Sequence, residues 1–128
     1  MSMKQWPIPL TVQMFTENER YLEYLREDPL RLKEASSKFF FETFLLGKMS
    51  QRAARHLHLP TLILQSANDL VVNVAAVEKW FEKVAAKKKE LRMFPDAAHS
   101  IDFDPVWFKE YTHLLCDWIL AFAPVTAR

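Results

Sequence analysis

In the second half of the chain, short apolar runs typical of strands alternate with longer segments that have helical periodicity. In "LPTLILQSAND", Leu62, Ile63 and Leu64 form a short apolar run bounded by Pro60 and a polar cluster, which is typical of a strand buried on both faces. "ELRMF" indicates a second short strand. Apolar residues at helical spacing follow each strand, in "NVAAVEKWFEKVAAKKK" and "DPVWFKEYTHLLCDWILAF". This order predicts an α/β unit with two parallel strands and a right-handed crossover.

The two predicted helices of this half each carry one apolar stripe. The last three lysines of the first helical pattern suit the negative end of a helix dipole. The stripes are Val74, Val77, Phe81 and Val84 in the first helix, and Phe108, Tyr111, Leu115, Trp118 and Phe122 in the second.

The first 29 residues predict a lead-in followed by a helix. Trp6, Pro7 and Pro9 suit an extended, docked coil. Thr16 with Glu19 three residues later predicts a capping box that begins a helix, and Asp28-Pro29 ends it, because the residue before proline avoids helical angles.

A second helical pattern runs from Leu30 to about His58, with Ser36 or Ser37 as its N-cap. Its apolar residues spread around the helix, so the helix needs cover on more than one side. Gly47 is the residue expected to bend or divide it. We therefore divide the chain into a helical segment, residues 1–59, and an α/β section, residues 60–128.

Composition excludes several classes of function for this chain of 128 residues. A net charge of +1 argues against a nucleic-acid partner, and a single cysteine excludes an internal disulfide or a Cys-rich zinc site. One glycine, where average usage would give about nine, leaves no phosphate-binding or dinucleotide loop, so no cofactor is expected. No signal peptide and no apolar run near the roughly 18 residues of a membrane span are visible, so we expect a cytoplasmic protein without a membrane span.

Two side chains that suit acid–base chemistry follow the two predicted strands. Asp69 lies just beyond the first strand and His99, in "FPDAAHSIDFDP", just beyond the second. Functional residues gather at the carboxyl ends of parallel strands, so these side chains are placed at one edge of the sheet. A carboxylate that accepts from one imidazole nitrogen leaves the other nitrogen free to take a proton from a nucleophile. Taken singly, however, Asp69 more often caps a turn and His99 more often fills a loop.

"PTLILQSANDLVV" followed by "LRMFPDAAHSIDFD" resembles the closing section of an α/β-hydrolase of the lysophospholipase and monoacylglycerol-lipase-like group. "MFTENERYLEYLREDPLRLKEASSKFFFETF" resembles the helical cap of these enzymes. The resemblance implies a partial α/β-hydrolase fold, a helical cap segment followed by a β-α-β-α unit. It assigns Asp69 as the triad acid and His99 as the general base.

The chain departs from that family at three places. Ser66 stands where the family usually has glycine, and Ala97 and Ala98 stand where a small turn residue, often glycine, precedes the histidine. The family's GxSxG nucleophile turn, which precedes the cap, is absent, since "GKMSQ" around the single glycine does not fit. We therefore expect the chain to begin after the nucleophile and to be inactive alone.

Other chemically suggestive residues have plainer interpretations. Ser66 and Ser100 are conceivable nucleophiles, but neither lies on a strand-to-helix elbow. His56 and His58 lack a third ligand, so no metal site is expected. Cys116 suits a packed position in an amphipathic helix. The phenylalanines at 39–44 suit the core of the cap, with an acyl pocket as the alternative that the resemblance offers.

Two functions follow as hypotheses. The first is the C-terminal part of a serine hydrolase for carboxylic esters or lysophospholipids. The alternative is a non-enzymatic homodimeric binding or assembly module derived from such a hydrolase, because two strands cut from a larger sheet leave an unpaired edge. The expected partner is a second copy or a separately encoded N-terminal half, and the expected ligand is an acyl ester or a similar lipid.

Overall fold

The computed structural model describes residues 4–122, and its first half contains two short strands and two helices. Strand β1, Gln5–Pro7, pairs antiparallel with β2, Glu34–Ser36. Helix α1, Glu19–Glu27, lies between them, and α2, Ser37–Ala53, follows β2 directly. Single turns of 3-10 helix, Val12–Met14 and Ala54–His56, precede α1 and continue α2.

The second half is the expected strand, helix, strand, helix unit. Strand β3, Thr61–Ser66, pairs in parallel with β4, Lys89–Phe94, and helix α3, Val74–Lys83, connects them. The register is continuous from Thr61 opposite Lys89 to Ser66 opposite Phe94. A 3-10 turn, Ile101–Phe103, and helix α4, Phe108–Phe122, complete the unit. The sequence prediction of an α/β fold with two parallel strands is thereby confirmed.

The main core lies where β4 meets α4. Phe94, Ala97 and Ile101 are buried there. Leu64 of β3 packs on this cluster, and so do Trp107, which directly precedes α4, and Tyr111 and Leu114 of α4. Since Phe94 ends β4 and Ala97 and Ile101 flank His99, the apolar core holds the histidine loop in place.

The lead-in and the first helix differ from the sequence predictions. Residues 5–7 form a strand rather than coil, because their backbone finds a partner almost 30 residues later in β2. The predicted capping box at Thr16 is wrong, since Asn18 is the N-cap and its side chain accepts from the backbone N–H of Arg20. The Thr16 hydroxyl instead accepts from the N–H of Asn18, which places Glu19 at the first helical position. The end of the helix at Asp28 is as predicted.

The second helical pattern, predicted from Leu30, is helical only after its predicted N-cap. Residues 31–33 have no regular structure and residues 34–36 form β2, so the helix starts only at Ser37. Ser36 is the N-cap, as one of the two expected alternatives, and its hydroxyl accepts from the N–H of Phe39. The helix runs through Gly47 without a break.

Several apolar side chains predicted to be buried are exposed. Helix α2 has no buried residue, and the phenylalanines at 39–44 do not form a core, because Phe39, Phe41 and Phe44 are exposed and Phe40 is only part-buried. Leu62, Ile63 and Leu64 are only part-buried, since β3 pairs with β4 alone in the described chain. Phe108 and Phe122 are exposed as well, because the α4 residues that pack on the core are Tyr111 and Leu114.

Cys116 is exposed, so its predicted packed position is wrong. It lies two residues, about 200° around an α-helix, beyond Leu114, on the opposite side of α4 from the core.

Lys89 closes the C-terminal end of α3. Its Nζ donates to the carbonyl oxygens of Phe81, Glu82 and Val84 at 3.0, 3.2 and 2.8 Å, and it lies 5.0 Å from the centre of the Phe81 ring. The predicted cation at this helix end is thus the last lysine of the run, reaching back from the first residue of β4.

Backbone hydrogen bonds join the two halves of the described chain. The N–H of Ser100 donates to the carbonyl of Phe15 at 2.8 Å, and the N–H of Ala85 donates to that of Ala54 at 3.3 Å. The division at residue 59 stays a prediction. Between residues 4 and 122, no helix has both the length and the apolar character required to cross a bilayer.

Candidate active site

Asp69 lies in the loop after β3, and both of its carboxylate oxygens are occupied. Oδ1 accepts from the backbone N–H groups of Val71 and Val72 at 2.8 and 2.9 Å, an arrangement that fixes the turn. Oδ2 accepts from Nε2 of Gln65 at 2.8 Å and contacts Nδ1 of His99 at 2.8 Å. The two oxygens thus make separate contacts, Oδ1 with the turn and Oδ2 with His99, so the turn contact and the histidine contact occur together.

The two side chains of the Asp69–His99 pair differ in their exposure to solvent. The Asp69 side chain is only 2% exposed, whereas that of His99 is 31% exposed. An ionised carboxylate accepts only, so this contact places the proton of a neutral imidazole on Nδ1 and leaves the Nε2 lone pair available. No group among residues 4–122 forms a hydrogen bond with Nε2. The arrangement suits a base that awaits a proton donor.

Two opposing effects set the pKa of the Asp69 carboxyl. Burial raises this pKa, but hydrogen bonds from His99, from the N–H groups of Val72 and Val71, and from Gln65 outweigh it, so the pKa lies below its ordinary value. Asp69 is thus held as a carboxylate at neutral pH, which is the form that orients a histidine.

The loop that carries His99 turns without a glycine. Asp96 takes the left-handed conformation at φ 60°, which aspartate tolerates better than most residues. Ala97 and Ala98 therefore need no positive φ. The buried hydroxyl of Ser66, at the position where the family usually has glycine, donates to the carbonyl of Ala97 and ties the end of β3 to this loop.

Phe15 and Gln65 also belong to the site, and sequence reasoning singled out neither. The Phe15 ring meets the His99 ring edge-on, with centroids 5.5 Å apart and planes at 78°. No local pattern places Phe15 there, because the contact spans 84 positions of the chain. The sequence does contain a signal for Gln65, because a polar amide within an apolar strand needs hydrogen-bond partners when it is buried.

The serines of the described chain do not supply a nucleophile in contact with His99. Ser66 is buried and committed to Ala97, and Ser100 lies beside the histidine on the same loop. The hydroxyls of Ser36 and Ser37 accept from Phe39 and Trp6, respectively. None of these residues, nor Ser50 in α2, forms a hydrogen bond with the imidazole.

The two other histidines singled out by the sequence lie elsewhere. His56 ends the 3-10 turn after α2, His58 follows it, and both are exposed. Residues 4–122 contain no group of three or more His, Cys, Asp or Glu side chains placed to bind a metal ion.

An acid after one parallel strand and a histidine after the next, in that chain order, is the arrangement found in the closing section of α/β-hydrolases. Residues 1–106 match the protein family described as serine aminopeptidase, S33. The chain therefore belongs to this family of hydrolases, in the lysophospholipase and monoacylglycerol-lipase-like group that the sequence resembled.

Comparison with individual proteins agrees with this assignment. Over 97 residues the chain is 28% identical to phospholipase YtpA of Bacillus subtilis (strain 168), covering 75% of this chain and 38% of the phospholipase. The monoacylglycerol lipase of Paleococcus ferrophilus superposes with a TM-score of 0.83 at 21% identity, over 93% of this chain and 46% of the lipase.

A soluble variant of monoglyceride lipase from Saccharomyces cerevisiae, solved with a substrate analogue, gives a TM-score of 0.80 at 18% identity. That match covers 92% of this chain and 44% of the lipase. At such identities the two structures show the α/β-hydrolase fold alone. The chain spans less than half the length of each of these three relatives.

Proposed function

We propose that this chain supplies the acid and the general base of a serine hydrolase for carboxylic esters of lipids, with Asp69 as the acid and His99 as the base. The observation that carries the proposal is the 2.8 Å contact between Nδ1 of His99 and Oδ2 of a carboxylate that is 2% exposed. The nucleophilic serine lies outside these 128 residues, since the sequence contains no GxSxG turn.

The proposed reaction follows from the free Nε2 of His99. Nε2 takes the proton of the incoming serine hydroxyl as the serine oxygen attacks the ester carbonyl. The imidazolium, held by Asp69, then gives that proton to the leaving alcohol as the ester C–O bond breaks. A water molecule next attacks the acyl-enzyme, Nε2 takes its proton and returns it to the serine, and the fatty acid leaves.

An apolar cavity that shares the Phe15 ring with the histidine supports a lipid as the substrate. The ring of Phe15 contacts His99 and also forms part of the wall of a cavity of about 200 Å³. Aliphatic side chains supply most of the rest of that wall: Ile8, Leu10, Val12, Leu25 and Leu32. The names of the relatives, a phospholipase and two monoacylglycerol lipases, favour the same class of ester.

The first test compares the chain alone with a complemented enzyme, in which the chain is co-expressed with the segment of phospholipase YtpA that precedes the matched region. We expect the chain alone to neither hydrolyse p-nitrophenyl acyl esters nor react with a fluorophosphonate probe. The complemented enzyme is expected to do both. Fluorophosphonate labelling of any serine in the chain alone would contradict the proposal, as would a folded complex without hydrolysis.

Two uncovered surfaces support association with a partner. The outer edge of β3 pairs with no strand in residues 4–122, and such an edge is a template for pairing. Phe41, Phe44 and Leu46 of α2 are exposed at 61%, 60% and 64%. Exposed apolar side chains in this number mark an interface. We propose that a nucleophile-bearing N-terminal half covers both surfaces, and that a second copy does so when that half is absent.

Sedimentation tests the association directly. The chain alone is expected to form a homodimer at high concentration and a 1:1 complex when the N-terminal half is present. Phe41→Glu is expected to weaken both the homodimer and the 1:1 complex, because it places a charge among the exposed apolar side chains of α2. Ala75→Glu, the same charge change at an exposed position of α3, is the matched control. A chain that sediments as a monomer under both conditions would rule out these interfaces.

A further inference from the structure

Gln65 is a buried amide at the carboxyl end of β3, next to the acid of the site. Gln65 as a whole residue is 8% exposed to solvent. Nε2 donates to Oδ2 of Asp69 at 2.8 Å and to the backbone carbonyl of Ser66 at 3.0 Å. Both N–H bonds of the amide are thus used within the strand end and the loop that follows it. A buried amide with both donors engaged is held in one orientation.

The consequence for Asp69 is a carboxylate fixed at both ends. The N–H groups of Val71 and Val72 hold Oδ1 alone. Such contacts leave the carboxylate able to rotate about its Cβ–Cγ bond, because that torsion is broad. Gln65 is the second donor to Oδ2, and it comes from β3 rather than from the histidine loop. It therefore sets the plane of the carboxylate independently of His99.

We propose that Gln65 is a positioning residue, which holds Oδ2 of Asp69 in the direction of Nδ1 of His99 and so fixes the imidazole tautomer needed for catalysis. This inference rests on the proposed function, since it concerns the same acid and base. Gln65 touches neither the imidazole nor the ester, and it acts only through Asp69. Its amide donor also favours the ionised form of Asp69, in line with the lowered pKa of that carboxyl.

The test uses Gln65→Met, which keeps the length of the side chain and removes both donors. Nitrogen-15 NMR of the chain alone reports the tautomer of His99, and the proton on Nδ1 gives a resonance of its own when it is hydrogen-bonded to a carboxylate. We expect a smaller fraction of the Nδ1–H tautomer and a broadened or lost Nδ1 proton signal. Carbon-13 NMR is expected to show a higher pKa for Asp69.

Ser66→Ala is the matched control for Gln65→Met. Ser66 is the next residue in β3, is buried as deeply, and loses a hydrogen bond to Ala97 without touching Asp69. We expect Ser66→Ala to lower stability and to leave the His99 tautomer and the Asp69 pKa as they are in the unmodified chain. Equal NMR changes in Gln65→Met and Ser66→Ala would show that Gln65 has only a general structural role. That result would overturn the inference.

A second variant keeps the inference testable if Gln65→Met does not fold. Gln65→Asn retains a buried amide but is shorter by one methylene, so it does not reach Oδ2 of Asp69. The same change in the tautomer is expected. An unchanged tautomer and an unchanged Asp69 pKa in a folded Gln65 variant would refute the inference.

The NMR result is independent of hydrolysis, because it needs no nucleophile. An NMR change together with an inactive complemented enzyme would support the role of Gln65 and contradict the proposed function. In an active complemented enzyme, Gln65→Met is expected to lower kcat about 10- to 100-fold, with little change in KM, because misplacing a catalytic group by about 1 Å costs on that order. A change in KM alone would contradict a positioning role.

Discussion

Replacing Asp69 with Asn is expected to lower the free energy of unfolding by about 2–3 kcal/mol at pH 7, because hydrogen bonds to charged groups contribute about 1.5–3 kcal/mol each. The new side chain keeps one oxygen for the N–H groups of Val71 and Val72. Its amide nitrogen then faces the Gln65 amide, which is also a donor. His99 must turn its Nδ1 lone pair toward that nitrogen, which moves the imidazole proton to Nε2.

The loss of stability in Asp69→Asn is expected to depend on pH. The pKa of Asp69 is lower in the folded chain than its ordinary value, so the carboxylate stabilises the fold above that value. This contribution is lost as the pH falls through the folded-state pKa. The difference in unfolding free energy between the unmodified chain and Asp69→Asn is therefore full near neutral pH and shrinks below about pH 4. Urea unfolding at a series of pH values measures it.

Asp96→Asn is the control for this experiment. Asp96 is an exposed acid in the neighbouring loop, and asparagine accepts its positive φ as readily as aspartate. We expect a change within about 0.5 kcal/mol, which is usual for surface substitutions. If Asp69→Asn unfolded at the same urea concentration as Asp96→Asn, and kept the His99 proton on Nδ1, the orienting role of Asp69 would be wrong.

The sheet and the proximity of Asp69 to His99 could be predicted because both depend on local patterns and one topological rule. The run at Leu62–Leu64 and the stripe of α3 each lie within a dozen residues. Parallel strands joined by a helix then necessarily present their carboxyl ends, and with them Asp69 and His99, at the same edge. The contact between the two side chains is a consequence of topology more than of either residue's own neighbours.

The features that the sequence did not predict depend on distant partners. The β1–β2 pair joins two segments of three residues, too short for an alternating pattern. The capping prediction was wrong because Thr16 and Asn18 both suit an N-cap, and the tertiary bond from the Asn18 amide to the carbonyl of Phe103 favours the second. Phe15 contacts His99 although the two residues are 84 positions apart in the sequence. The exposure of α2 likewise depends on what else packs there, which no local pattern records.

Replacing His99 with Ala is expected to lower kcat/KM of the complemented enzyme by at least about 10³-fold. A positioned general base typically contributes about 10²- to 10⁴-fold. Without Nε2, the proposed mechanism loses the group that takes the proton of the incoming serine. The substitution removes a part-exposed ring and its edge contact with Phe15, so the fold is expected to persist. Ester hydrolysis measures the rate, and circular dichroism checks the fold.

His113→Ala is the matched control, because His113 is an exposed imidazole on α4 that takes no part in the hydrogen bonds of Asp69 and His99. It is expected to leave hydrolysis unchanged. Added imidazole is expected to restore part of the rate in His99→Ala and to have no effect in His113→Ala, since a free imidazole that enters the space left by the ring can supply the missing proton acceptor. A His99→Ala enzyme with an undiminished rate would show that the base lies elsewhere, and Asp69 would then serve only the turn at Val71 and Val72.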